Sequence, residues 1–327
     1  MVDLHLHLDG AISLASARKL AQAQGLELPA RDEDLLPMLT VPDSCCDLNE
    51  FLQKFDFTCS LLQTAEGIRM AVKNLLAELK EEGVMYAEIR FAPQLLTDKG
   101  LTQEEAVAAA ISGMQESEVD ANLILCCMRG AYNHDKNAKT VEVAEKFLGK
   151  GVVAIDLAGA EALYETGLFE DVLAMAVKKG IPFTIHAGEA SGPDSVRKAL
   201  DFGAVRIGHG IRAMEDESLF AEIVKKQIPL ELCPTSNIKT AMFRHIDEWP
   251  LRKLMQAGAY ITVNTDDPAI EGTSIKNEFR KLIKFHGIGA AEVKTFLLNS
   301  VNASFASEEI KQKMQKKIET ELSSPLR

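Results

Sequence analysis

The run Val2-Asp3-Leu4-His5-Leu6-His7-Leu8-Asp9-Gly10 places leucine at every second position and two histidines between them. A β-strand has a side-chain period of two, so His5 and His7 share one face while Leu4, Leu6 and Leu8 form the opposite, buried one. Two imidazoles on one strand face make half of a zinc site. The remainder of the chain decides both the fold around this strand and whether the site is completed.

Short apolar runs recur at 83–91, 121–129, 151–158, 181–187, 204–208, 228–233 and 260–264, which with 2–8 makes eight. Each has the length of a strand buried on both faces. Helical patterns lie between them, at 70–80 (with Ala71, Leu75, Leu76 and Leu79 on one face), 104–114, 141–148 and 171–179. Gly83, Gly180 and Gly258 stand where helices should stop before strands. This alternation implies parallel strands with right-handed crossovers. Eight repeats predict an α/β fold of the (β/α)8 TIM-barrel type, with 1–327 as a single domain. A doubly wound open sheet is the competing architecture. One connection is abnormal, because about seventy residues separate the first two strands. This helical insertion, approximately 13–80, holds a pattern over 13–24, a proline-containing stretch over 28–42 and the apolar residues Phe51, Leu52, Phe55 and Leu62. It belongs beside the end of the first strand, as decoration or as a lid.

The chain has 327 residues, 46% of them hydrophobic, and a formal net charge of -12. That balance argues against nucleic acid or an anionic membrane surface as the main partner. No apolar run approaches the roughly 18 residues of a membrane helix, and no secretory leader precedes the first strand. The six cysteines (Cys45, Cys46, Cys59, Cys126, Cys127, Cys233) form no C-x-x-C pair. They are expected to be reduced, in a cytoplasmic protein.

Barrel chemistry gathers at the C-terminal ends of the strands. Those ends carry His5, His7 and Asp9; Asp156-Leu-Ala-Gly159; His186-Ala-Gly-Glu189; Gly208-His209-Gly210; Cys233-Pro-Thr-Ser-Asn237; and Thr265-Asp266-Asp267-Pro268. Four of the seven histidines fall there; His134, His245 and His286 do not and read as ordinary structural residues. Catalytic zinc takes three or four nitrogen or oxygen ligands and keeps a position open. His5, His7 and His186 supply three, and Asp266 is a fourth candidate. His209 is a further ligand or a neighbouring base. The strand run 152–159 lacks a lysine that could bridge two ions, which favours one metal. So many imidazoles do not suit magnesium or calcium. Glu189 reads as a proton donor whose pKa burial would raise, or as an N-cap or first-turn glutamate of the next helix. Asp266 and Asp267 cannot point the same way; one can reach the metal and the other the substrate, with a plain Asp-Asp-Pro turn as the alternative. Gly159 lets a flat ligand approach the backbone.

In this order the motifs resemble the adenosine deaminase branch of the amidohydrolase superfamily, from about residue 2 to 305. The matching pieces are His5-Leu-His-Leu-Asp-Gly-Ala11, Phe51-Leu-Gln-Lys-Phe-Asp56, Asp156-Leu-Ala-Gly159, His186-Ala-Gly-Glu189, Arg206-Ile-Gly-His-Gly210, Cys233-Pro-Thr-Ser-Asn237 and Asn264-Thr-Asp-Asp-Pro268. The resemblance implies one zinc per chain held by His5, His7, His186 and Asp266. It implies that His209 orients and deprotonates the attacking water and that Glu189 protonates purine N1. Gly159 and Asp267 match contacts to N3 and N7, Asp9 the contact to the ribose 5'-hydroxyl, and His7 also lines the substrate side. The segment 51–56 resembles part of a gate, which favours the lid. The implied reaction is hydrolytic deamination of adenosine or 2'-deoxyadenosine to the inosine nucleoside and ammonia. The implied partner is a small purine nucleoside, handled in purine salvage or catabolism. Relatives act on adenine, AMP, N6-methyl-AMP or aminodeoxyfutalosine. The adenine-acting group typically carries Glu in place of Asp9, and an acidic chain offers little to a phosphate. Another 6-aminopurine, such as adenine or aminodeoxyfutalosine, is the alternative substrate, and a non-catalytic nucleoside-binding barrel is the alternative from outside enzymology. The other zinc-deaminase design, with H-x-E and P-C-x-x-C, is absent, since Cys233-Pro-Thr-Ser lacks the second cysteine.

Overall fold

The computed structural model describes residues 1–42, 45 and 47–322. Cys46 and residues 323–327 lie outside the described residues. Among the described residues, eight strands occur where the apolar runs place them: β1 Val2–His7, β2 Tyr86–Phe91, β3 Asp120–Met128, β4 Val152–Ala158, β5 Thr184–Ala187, β6 Arg206–His209, β7 Leu230–Leu232 and β8 Ile261–Val263. Several start later than their apolar runs. Val84, Ile181 and Ala204 donate their backbone N–H back to Leu79, Ala176 and Ala199, 2.9–3.0 Å away, and so close the preceding helix instead of joining a ladder. This is the Schellman closure that a glycine in left-handed conformation permits, here Gly83, Gly180 and Gly203.

The strands pair in parallel in the orders β1-β2-β3-β4 and β5-β6-β7-β8. Backbone bonds join the two sheets at both seams. Ile155 N–H donates to Pro182 (3.1 Å) on one side. On the other, His7 N–H donates to Asp266 (2.9 Å) and Asp266 N–H to His5 (2.8 Å). The barrel is therefore closed, and the open-sheet alternative falls away. The leucine face of β1 enters the main apolar core with the inner faces of the surrounding helices. Its histidine face turns into the barrel.

The insertion after β1 consists of helices Leu14–Gln24, Asp32–Leu39, Leu48–Leu52 and Phe55–Ser60, followed by the crossover helix Ala65–Glu81 that feeds β2. Ser13 and Thr64 cap the first and last of these by accepting from Ser16 N–H (3.1 Å) and Gly67 N–H (3.0 Å). Val41, Cys45 and Phe51 pack with Ile270 in a small apolar cluster of their own. The insertion thus rests on helix Pro268–Glu271, directly after β8, at the face where the strands end. The helix expected at 141–148 starts earlier and spans His134–Phe147. Among the described residues no helix is long and apolar enough to cross a membrane.

Candidate active site

Closure of the barrel brings the candidate ligands together. His5 Nε2 and His7 Nε2 lie 3.0 and 3.2 Å from His186 Nε2. Asp266 Oδ1 lies 3.2 Å from His5 Nε2 and 3.4 Å from His7 Nε2. A tetrahedral zinc with bonds of about 2.0–2.1 Å separates its ligand atoms by about 3.3 Å. The four measured separations match that edge, and the three-nitrogen, one-oxygen donor set suits zinc. The seam explains how a carboxylate reaches this point. The Asp266 backbone is bonded to both His5 and His7, so its side chain emerges between them.

Strain collects here as well. His209 (φ 58°) and Asp266 (φ 70°) are left-handed non-glycine residues. Each costs of order 1–3 kcal/mol, and such residues cluster at functional sites. His209 Nε2 stands 3.5 Å from Asp266 Oδ2 and 3.6 Å from Glu189 Oε2, and neither of its ring nitrogens has a hydrogen-bond partner. Burial lowers its pKa to about 3, so its imidazole is neutral. Burial likewise holds His7 well below the usual histidine range, which keeps its imidazole neutral. Against the burial that opposes its charge, Asp266 is held well below the carboxylate range by the imidazoles of His5 and His209.

Glu189 is not a helix cap. The following helix, Pro193–Asp201, begins after Gly192, so that alternative is excluded. Its carboxyl is buried, and burial first, then the charges of Asp266 and Glu161, push its pKa well above the usual value. Asp267 is raised in the same way, by burial and by Asp266 and Asp9. The plain-turn reading of Asp266-Asp267-Pro268 is insufficient, because both carboxyls are buried and turned to the pocket. Asp9 is buried in a single turn after β1, accepts from Cys59 Sγ at 3.7 Å, and leaves Oδ1 without a partner. Gly159 (φ 103°) lines the same pocket. Phe51, Leu52 and Phe55 of the insertion cover it and leave a cavity of about 40 Å³. A cleft of about 760 Å³ adjoins it; Leu48 and Glu189 line both.

A buried ionic network beneath these residues escapes a strand-end reading. His5 Nδ1 is 2.8 Å from Glu231 Oε2, and His186 Nδ1 is 2.8 Å from Asp156 Oδ2. Arg90 donates to both carboxylates, at 2.8 Å and 3.0 Å. Arg206 joins Glu231 to Glu88, at 2.6 Å each. A carboxylate behind a ligating histidine fixes its tautomer and turns the other nitrogen's lone pair toward the metal. The available signal was charge inside strand runs: Glu88, Arg90, Arg206 and Glu231 interrupt segments that should be apolar on both faces.

The chain as a whole is similar to known proteins. The family model described as adenosine deaminase matches residues 1–321. The chain is 48% identical to an adenosine deaminase of Haemophilus ducreyi, over 95% of this chain and 93% of that one. It is 37% identical to an adenosine deaminase of Enterococcus faecalis, over 97% and 95%. Among solved structures, an adenine deaminase from Arthrobacter aurescens superposes with a TM-score of 0.88 at 29% identity, covering 99% of both chains. With the model spanning almost the whole chain, this protein belongs to the adenosine deaminase family.

Proposed function

We propose that this protein hydrolyses adenosine, and 2'-deoxyadenosine, to the corresponding inosine nucleoside and ammonia, using one zinc ion per chain. The observation that carries the reading is the convergence of His5, His7, His186 and Asp266 at separations of 3.0–3.4 Å, with Glu189 and His209 beside them. Bound zinc supplies Lewis acidity that brings the pKa of a water from about 15.7 toward 7. Glu189, kept protonated, holds the proton that purine N1 takes up as C6 becomes tetrahedral. Neutral His209 takes one proton from the attacking water and returns it to the departing amine, and the proton left on the C6 hydroxyl restores Glu189 as the carbonyl forms. Gly159 offers backbone to the purine edge at N3, and the protonated Asp267 carboxyl donates to N7. The unpartnered Oδ1 of Asp9 suits a hydroxyl donor, as on the ribose 5'-carbon.

The insertion acts as a lid in this reading. Phe51, Leu52 and Phe55 stand over the inner pocket of about 40 Å³, where it adjoins the outer cleft of about 760 Å³. Helices Leu48–Leu52 and Phe55–Ser60 must shift to admit a nucleoside and close again to exclude water. The buried thiols Cys59, Cys126, Cys127 and Cys233, none in a disulfide, support a cytoplasmic setting. The direct test follows ultraviolet absorbance as zinc-loaded protein is mixed with adenosine, 2'-deoxyadenosine, adenine and aminodeoxyfutalosine in parallel. Fastest turnover of the two nucleosides is expected. Faster turnover of adenine would transfer the substrate assignment, and no turnover at all would refute the enzyme.

A further inference from the structure

Glu161 lies two residues past Gly159, on the loop after β4, and its carboxylate is 1% exposed. Among the described residues no cation pairs with it directly, though Arg129 and Arg212 lie near enough for their charges to act on it. Instead it accepts four successive backbone N–H groups from the loop after β5. Oε1 takes Gly188 (2.7 Å), and Oε2 takes Glu189 (3.1 Å), Ala190 (2.8 Å) and Ser191 (2.9 Å). A fifth donor, the Ser195 hydroxyl, reaches Oε1. Ser195 is held in turn by Thr166 (2.9 Å), which accepts from Arg129, whose guanidinium also donates to the His186 carbonyl (2.7 Å).

Residues 188–191 belong to no helix or strand. A buried segment of that kind must still place every backbone N–H. Here one side chain meets the whole requirement. The loop carbonyls are met from the other side, where Arg212 donates its backbone N–H to Gly188 (3.1 Å) and its side chain to Ala190 (3.2 Å). Four of the five bonds fall on consecutive backbone N–H groups and so fix this loop from a single side chain. They define the backbone of Glu189, from which the proton donor projects.

We infer that Glu161 is a positioning residue: it clamps the 188–191 backbone and so sets where the Glu189 carboxyl meets the purine. Glu161 and Gly159 share one short loop, so the contact to the purine edge and the position of the proton donor are tied together. The inference rests on the reading of Glu189 as proton donor.

The experiment compares wild type, Glu161→Gln, Glu189→Gln and the double variant, each zinc-loaded, with hydrogen exchange measured on the same proteins. A glutamine at 161 presents an NH2 group to backbone donors, so at least part of the clamp is lost. The expected result is a fall in kcat of about tenfold to a hundredfold, with KM within about threefold and zinc content unchanged. On the Glu189→Gln background the same change should lower kcat by less than about twofold, because the group being positioned is gone. Amides of 188–191 should exchange at least about tenfold faster in Glu161→Gln, with the strands unaffected. Unchanged exchange, or an equal kcat loss on both backgrounds, overturns the inference. Full activity of Glu189→Gln would instead overturn the proton-donor reading, while the exchange data still decide the clamp. If Glu161→Gln does not fold, Ser195→Ala removes a single donor. It should raise exchange at 188–189 and lower kcat severalfold, and no change in either overturns the inference.

Discussion

Substitution of Gly10 by alanine adds one methyl group at the point where β1 meets the pocket. A Cβ there would lie 1.6 Å from Asp267 Oδ1, 2.5 Å from its Cγ and 2.7 Å from its Cβ. Ordinary contact begins near 3.4 Å, so the carboxyl must move by about 1.8 Å. Gly10 is not in the left-handed region, so alanine itself suits the backbone and the penalty is purely the crowding. Overpacking of a filled interior costs typically about 1–3 kcal/mol. With unfolding entropy near 2.1 cal/mol/K per residue, a chain of this length would lose about 2–4 °C in Tm. The effect on rate is larger. A misplacement of about 1 Å near the reacting groups can cost about a hundredfold, so kcat/KM for adenosine should fall by about that factor or more. Steady-state kinetics and calorimetry on the zinc-loaded variant measure both. Asp267→Gly removes all three crowded atoms and serves as the control. On that background alanine at position 10 should carry no Tm penalty. Activity within about threefold of wild type, or the same Tm penalty on both backgrounds, would refute the contact and the role given to Asp267.

Removal of zinc by a strong chelator should abolish turnover and lower Tm, both restored by zinc and not by magnesium, since the ligand set is imidazole-rich. Persistent activity in metal-free protein, checked by elemental analysis, contradicts the site. Glu189→Gln should retain zinc and lose about 10²–10⁴-fold in rate. The pKa of Glu189 is raised, so the donor is in its working, protonated form below that pKa, and kcat/KM should decline as pH rises through it. The same sign applies to stability. A buried carboxyl of raised pKa favours the fold below the ordinary glutamate value, and that contribution is lost as pH rises through the folded one. The variant should therefore be less destabilised than wild type by a shift to alkaline pH, as read in parallel thermal melts. Glu231→Gln keeps the shape behind His5 but removes the charge that Arg90 and Arg206 face. Zinc affinity, measured by chelator competition, should drop by about 10–100-fold. Unaltered affinity would show that the network under His5 is only structural.

The strands were legible because buried parallel strands are written as local apolar runs, and their C-terminal ends are where polar residues break those runs. Hence His5, His7, His186, His209 and Asp266 stand out as one group in the sequence. Strand starts were less legible. Val84, Ile181 and Ala204 look like strand residues, yet their backbones close helices, since hydrophobicity does not reveal which partner a backbone N–H selects. Glu189 could be read as a helix-terminus residue or as a proton donor, and only the start of the next helix at Pro193 removed the first reading.

What the amino-acid order determined by itself is the repeat of strand and helix, the shared face of His5 and His7, and the residue types that suit a zinc-dependent hydrolase. These depend on side-chain period and composition over a few neighbouring residues. What only the tertiary structure decided is how distant segments meet. Asp266 stands between His5 and His7 because the last strand's end pairs with the first strand. Glu231 orients His5 across 226 residues of chain. Glu161 fastens the loop of Glu189 across a crossover helix. The physical reason is that these contacts are set by closure of the barrel, which brings strand ends onto one face, and no local periodicity encodes which of the many buried charges will then be paired.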